Sequence, residues 1–408
     1  MDKKQAIVFS ISAVAALISA RISLSYVGSN NGTPAPSLAK NKGTPPIILD
    51  AELKVEKVIE GLALPTSMAF LDRGYILILQ KDNGRVRLIS KGLLQPNPVL
   101  DIFVEKYGER GMLGIAVSNA TGQSKNVFLY FTEPAGNEIR NRVYRYDWNG
   151  AGNFIGGTLV LDLPGQPGPK HDGGKMTIGP DGVLYAVIGD LNRNGMLQNY
   201  KTGPEPDDTS VILRVDRDGN AVNGTSRYYS YGVRNSFGLD FDPLTGVLWD
   251  TENGPANYDE INMVRLGFNS GWGQVMGPIG RSGKSVNDLV QLEGSRYADP
   301  VFSWHQALRI TDIEFLNSTK LGERYAYNVF AGDINDGNLY FFKVNRDRTG
   351  LELSDAGLED LVADNNGEVE AYTFGPGFGG MTDIETGPDG YLYILAYSGN
   401  LYRIVPAN

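Results

Sequence analysis

Three short segments carry residues able to do chemistry. His171, in the loop PKHDGGKMTIGPDG that runs from Pro169 to Gly182, stands beside glycines. Histidine is the residue type that takes or gives a proton near neutral pH, although a loop histidine can equally be a plain solvent-exposed one. Arg234-Asn235 occupies the matching place in a later segment, YGVRNSFGLDFDP. An arginine at a loop mouth pairs with a carboxylate or with an anionic ligand. Gly254-Pro255 follows the second strand of the same repeat. Adjacent carbonyls of such a turn suit a hard cation such as Ca2+, while the dipeptide alone marks only a turn.

Other chemistries find little support. Asp190-LNRNG and Asp333-INDG open like calcium loops, but Lys201 stands where the first needs its closing Glu, and the second lacks a closing acid. Both read as turns. No G-x-S-x-G, Walker or dinucleotide fingerprint lies between a strand and a helix. There is no cysteine, which excludes thiolate metal sites, disulfides and cysteine nucleophiles, and only two histidines, His171 and His305, which argues against a multi-histidine zinc site. The formal charge of −10 speaks against nucleic acid as a partner. An acidic surface also suits a cation, though acidity more commonly serves solubility.

The elements that must position these residues recur along the chain. With 51 glycines, 21 prolines and 21 tyrosines in 408 residues, the composition is that of an all-β protein rich in tight turns. A short apolar strand, a turn with Pro, Asp, Asn or Gly, and a second aromatic or β-branched strand begin at positions 68, 114, 176, 239, 313 and 384. The copies GPDGVLY from Gly179 and GPDGYLY from Gly387 are nearly identical. Further strands at 141–149, 210–220 and 338–345 bring each unit to about four, which predicts a six-bladed β-propeller over residues 49–408. A strand at 401–405 is expected to pair with one near 53–59, closing the ring and hiding both edges. A tandem of β-sandwiches is the rival architecture, but it does not require similar units throughout. A propeller gathers loops from every blade into one funnel.

Upstream, a basic start and an apolar run from Ala6 to Ala20 read as a signal peptide or membrane anchor within residues 1–27, followed by a polar tether over 28–48. Small residues suited to cleavage are poorly placed around Ala20, so an uncleaved anchor stays open. Asn-x-Ser/Thr sequons at Asn31, Asn119, Asn223 and Asn317 agree with export to the cell surface, the periplasm or the outside. Any membrane contact is expected through this N-terminal segment alone.

Five motifs together carry a resemblance: GERGMLGIAVS from Gly108, KHDGGKMTIGPDGVLYAVIGD from Lys170, VILRVDRDGN from Val211, YGVRNSFGLDFDP from Tyr231 and TENGPANYDEINMVRLGFNSGWG from Thr251. In this order and spacing they resemble the soluble quinoprotein sugar dehydrogenases, the glucose/sorbosone dehydrogenase family, over roughly residues 55–406. The resemblance implies a six-bladed propeller that oxidises aldose sugars at C1 to lactones with pyrroloquinoline quinone (PQQ) and Ca2+. It implies His171 as the base, Arg234 with Asn235 beside the quinone oxygen, and the carbonyls of Gly254 and Pro255 as the Ca2+ seat. Glu109 and Asn253 match polar cofactor contacts, and Trp304, Lys170 and Arg309 join the cofactor-binding set. The electron acceptor is left open.

The chain departs from the family where a tricarboxylate needs cations. The family's Lys in the fifth blade and its Arg residues before the last GPDG-type turn correspond here to Asn335, Gly380 and Thr382. Losing two or three charge-assisted contacts of about 1.5–3 kcal/mol each weakens binding by orders of magnitude. Arg309 and Lys170 are the cations placed to compensate. Two other classes stay in view. One is a propeller that binds a glycan or protein without PQQ. The other is a lactonase-type hydrolase, which needs a central Ca2+ held by converging side chains. If Arg309 compensates, Arg309→Ala weakens PQQ uptake; a titration showing unchanged affinity removes it from that role.

Overall fold

The structure is a computed structural model that describes residues 45–72, 74–119, 125–150, 152–195, 207–290, 292–354 and 357–407. The expected leader, the tether up to residue 44, Asn31 and Lys201 lie outside the described residues. Among the described residues no helix is long and apolar enough to cross a membrane.

Among these residues the strands form six sheets. Their first strands are Pro65–Asp72, Met112–Asn119, Met176–Ile178, Ser236–Phe241, Ile310–Phe315 and Met381–Thr386. Each packs against the first strand of the next sheet, and the last against the first, so the sheets stand in a ring. This is an all-β propeller. The second strands, such as Leu184–Ile188, Leu248–Glu252 and Leu392–Ala396, are buried along their whole length because neighbouring sheets cover both faces. That is why they read as continuous runs such as LYAVI and LYILA.

Each gap between successive sheets holds its own apolar cluster. The gap between the fourth and fifth sheets packs Trp249, Phe302, Trp304, Phe315 and Phe342. Ring closure follows the expected pairing: Leu53–Ile59 runs antiparallel to Asn400–Pro406, with Leu53 opposite Pro406 and Val55 opposite Ile404. Just before it, Ile47 and Leu49 donate their N–H groups to the carbonyls of Pro376 and Phe374 (3.2 and 3.0 Å).

The GPDG turns have one construction. Gly182 N–H donates to Gly179 O (2.8 Å), Tyr185 OH to Asp181 (3.1 Å), and Arg214 on the third strand grips the same carboxylate (2.7 Å). In the sixth sheet Gly390 donates to Gly387 O (2.8 Å), Tyr393 OH to Asp389 (2.9 Å), and Arg403 repeats the grip (3.1 Å). The aspartate of the motif thus ties its own turn to the third strand.

First strands of adjacent sheets share no regular ladder, so carboxylates cap N–H groups across the gaps. Asp240 accepts from Phe315 (2.7 Å), Asp312 from Ile384 (2.6 Å), Glu314 from Thr386 (2.7 Å) and Asp383 from Met68 (2.5 Å). Lys175, at the entry to the third sheet, reaches Asp312 (2.9 Å), Asp383 and, more loosely, Glu385 (3.8 Å). Burial alone would push this amine down, but the carboxylates of Asp312 and Asp383 outweigh it and hold Lys175 charged. Removing one partner of a buried ion network leaves charge uncompensated, at roughly 3–5 kcal/mol. Lys175→Met is therefore expected to lower stability by about that much in urea unfolding. An unchanged midpoint would mean that protons already neutralise these carboxylates.

Candidate functional site

The loops entering the second, third and fourth sheets bring Glu109, His171 and Arg234-Asn235 together. Glu109 Oε2 accepts the His171 N–H (2.7 Å) and the Asn235 Nδ2–H (3.0 Å), so one carboxylate sets two loops. His171 has a left-handed backbone (φ 64°), a conformation that non-glycine residues hold only where the surroundings enforce it. Its side chain is 11% exposed, and Nδ1 lies 2.5 Å from Asp190 Oδ1.

Asp190 lies two residues beyond the second strand of the third sheet, Leu184–Ile188. Burial pushes its carboxyl up, but hydrogen bonds from His171 and Trp272 and the charge of Arg234 bring it below the usual range. It is therefore ionised and can only accept. The proton of the pair sits on His171 Nδ1, leaving Nε2 as the basic nitrogen.

Trp272 joins the two halves of the site. Its Nε1–H donates to Asp190 Oδ2 (2.5 Å), and its ring lies 5.1 Å from the Arg234 guanidinium. Arg234 Nη1 donates to Asn253 O (2.7 Å), and its main-chain N–H to Glu252 (2.6 Å). Burial pushes the guanidinium down, opposed by Asp190, Glu109 and Glu252. Arg234 Nε and Asn235 Oδ1 are buried with no hydrogen-bond partner among the described residues. Close loop approach here depends on Gly189, since a Cβ would lie 2.5 Å from the carbonyls of both Arg234 and His171.

Asn253 acts as a brace, its Nδ2–H donating to Ile310 O (2.6 Å). Gly254 is half-buried and Pro255 exposed. Asp259, which the sequence reading did not single out, accepts the Gly254 N–H (3.0 Å) and the main-chain N–H of Arg309, linking this turn to the next loop. A Cβ on Gly254 would lie 2.0 Å from Asn257 O, so only glycine makes the turn. Arg309 (φ 62°) and Lys170 are exposed and form no ion pair among the described residues.

Trp304 does not belong to this group. It is 1% exposed, packed edge-on against Phe302 at 4.7 Å and against Tyr340 and Phe342, inside the core between the fourth and fifth sheets. The strand alternation that aims Phe302 into that core aims Trp304 there too. His305 lies elsewhere, stacked on Tyr258 at 4.8 Å. Asp333 Oδ1 accepts N–H groups from Asp336 (2.6 Å) and Gly337 (3.0 Å) and serves its own turn, as expected. Asp190 also caps its turn, accepting from Asn192 (2.9 Å), so the turn reading captured half of its work. A signal lies in the sequence: an acid stands at or just after the end of the second strand in VIGD, WDTE and FAGD, at Asp190, Glu252 and Asp333.

The donor set fits an anionic carbonyl-bearing group. It contains a buried guanidinium with an orphaned N–H, two exposed cations and a pinned Gly-Pro turn. Asn335, Gly380 and Thr382 add no positive charge. Among the described residues no three His, Asp or Glu side chains are arranged to hold a metal ion.

Next to His171, Asp172 accepts from Asn141 Nδ2 (3.0 Å), while its other oxygen is buried without a partner among the described residues. Burial pushes its carboxyl up to about 6, with Asn141 and Arg110 opposing. The folded state therefore binds a proton more readily than the unfolded chain between the ordinary aspartate range and about 6. Stability from this group is full at low pH and falls as pH rises through that window, by roughly 3 kcal/mol. Asp172→Asn should flatten denaturation free energy across that window, and a slope that persists unchanged would place the titration elsewhere.

Residues 62–403 match the Glucose / Sorbosone dehydrogenase family. The aldose sugar dehydrogenase YliI of Escherichia coli K12 is 26% identical over 382 residues, covering 88% of this chain and 94% of that protein. The soluble aldose sugar dehydrogenase of Escherichia coli in its apo form superposes with a TM-score of 0.67 at 23% identity, over 87% of this chain and 99% of that one. The PQQ-bound aldose sugar dehydrogenase of Streptomyces coelicolor gives 0.65 at 22% identity, over 87% and 99%. At these identities the two structures speak for the fold. The family match over most of the chain speaks for descent: this protein belongs to the Glucose / Sorbosone dehydrogenase family.

Proposed function

We propose that the chain is an exported quinoprotein that oxidises an aldose at C1 to the lactone with PQQ and Ca2+, on a six-bladed propeller. The observation that carries this reading is the oriented His171–Asp190 pair joined through Trp272 and Glu109 to Arg234 and Asn235. Blade number is supported by the closed contact of six first strands. Export is supported by the apolar N-terminal run and by the exposed sequons at Asn223 and Asn317.

PQQ, when bound, supplies the hydride acceptor. His171 Nε2 takes the proton of the C1 hydroxyl, and Asp190 stabilises the imidazolium through Nδ1. Arg234 directs positive charge at developing negative charge from a site largely shielded from water, where such a contact is strongest. The carbonyls of Gly254 and Pro255, held in place by Asp259, are the oxygens a Ca2+ would use, and Lys170 and Arg309 are the cations left for carboxylates.

The neutral residues at 335, 380 and 382 favour a second reading, a propeller that binds a glycan or protein without PQQ. Adding PQQ and Ca2+ to the purified full chain and following aldose-dependent dye reduction separates the two. The dehydrogenase reading expects PQQ uptake and a rate that falls by about 100-fold or more in His171→Ala. No uptake at micromolar PQQ rejects it, and activity that survives His171→Ala rejects the base.

A further inference from the structure

The hydrogen bonds to Asp190 divide by source. Oδ1 accepts from His171 Nδ1 (2.5 Å) and Asn192 N–H (2.9 Å), while Oδ2 accepts from Gly195 N–H (3.2 Å) and Trp272 Nε1–H (2.5 Å). The main-chain donors belong to the turn after Asp190 and fix the carboxylate with or without the indole. Trp272 is therefore not needed to place Asp190. Its N–H instead draws on the carboxylate's charge, and an acceptor that already serves another donor holds the imidazole less strongly.

The ring of Trp272 has a separate task. Arg234 donates from Nη1 to Asn253 O (2.7 Å), and its Nε is buried with no hydrogen-bond partner among the described residues. The guanidinium lies 5.1 Å from the indole centroid, so the aromatic face restrains the part of the group that hydrogen bonds leave free. Trp272 itself is held firmly. Its main-chain N–H donates to Gly232 O (3.2 Å), and the next residue, Gly273, is left-handed (φ 56°). A Cβ on Gly273 would lie 2.4 Å from Asn194 O, which presses this segment onto the turn that follows Asp190.

We propose that Trp272 is a positioning residue with two separable functions. Its N–H edge limits how strongly Asp190 holds the imidazole of His171, and its ring face keeps the Arg234 guanidinium from turning. The roles of His171 and Arg234 rest on the sugar-oxidising reading, but the coupling belongs to the chain without PQQ and is measured there.

His305→Gln leaves His171 as the only histidine, so its Nδ1–H proton can be followed by NMR in the full chain. Trp272→Phe removes the indole N–H and keeps a ring. The Nδ1–H resonance is then expected to move downfield, while solvent exchange of the Arg234 Nε–H, assigned by its loss in Arg234→Lys, stays within about twofold. Trp272→Leu removes both features and is expected to give the same downfield move with Arg234 exchange about tenfold faster. Incorporating 5-fluorotryptophan keeps the indole and its packing but makes the N–H a better donor, so the resonance moves upfield without any substitution that could unfold the chain. A resonance that stays put in Trp272→Phe and under fluorination overturns the first function, and unchanged exchange in Trp272→Leu overturns the second. Loss of the Nδ1–H resonance in Trp272→Phe also overturns the proposal, because the indole would then place Asp190. The expected shifts in a chain that takes up no PQQ would support the coupling while rejecting the quinoprotein reading alone.

Discussion

A single buried amine organises the axis of this protein. Lys175 ties the entry of the third sheet to Asp312 of the fifth and Asp383 of the sixth, and Asp383 in turn accepts from Met68 of the first. The first strands of neighbouring sheets lack a ladder between them, so their inward N–H groups depend on carboxylates, and those carboxylates depend on the amine. The same arrangement sets the candidate base. His171 lies just upstream, across a glycine pair, so the loop that presents it leads directly into the Lys175 ion network.

The site is built from braces more than from contacts. Glu109, Asp190 and Trp272 each hold two groups at once, and Asp259 spans two loops, so few of these polar atoms are free. Among the described residues, what remains unpaired is informative: Arg234 Nε, Asn235 Oδ1 and the exposed cations Lys170 and Arg309. Polar capacity is concentrated on the third and fourth sheets. On the fifth, Asp333 is consumed by its own turn.

Much of the architecture was legible because its causes are local. Second strands are covered on both faces and so appear as apolar runs, and the GPDG turns recur because each Asp serves a turn, a Tyr and an Arg together. Loops placed just before a first strand marked His171 and Arg234-Asn235 as neighbours. Tertiary partnerships were harder to see. Asp190 satisfies its own turn and the imidazole at once, so the turn reading was sufficient and incomplete. Asp259 meets the Arg309 loop only across folded space. Trp304 runs the other way: the resemblance puts it in the cofactor-binding set, whereas two-residue alternation with Phe302 sends it into the core.

The closing pair of strands, Leu53–Ile59 against Asn400–Pro406, joins the two ends of the domain in one sheet. A contact of such sequence separation carries a large loop-closure cost and belongs to slow-folding topologies. During synthesis the early strand must wait, unpaired, until the last residues emerge. The sixth sheet is therefore a late-assembled seam, which shuts only when strands from both ends of the domain meet.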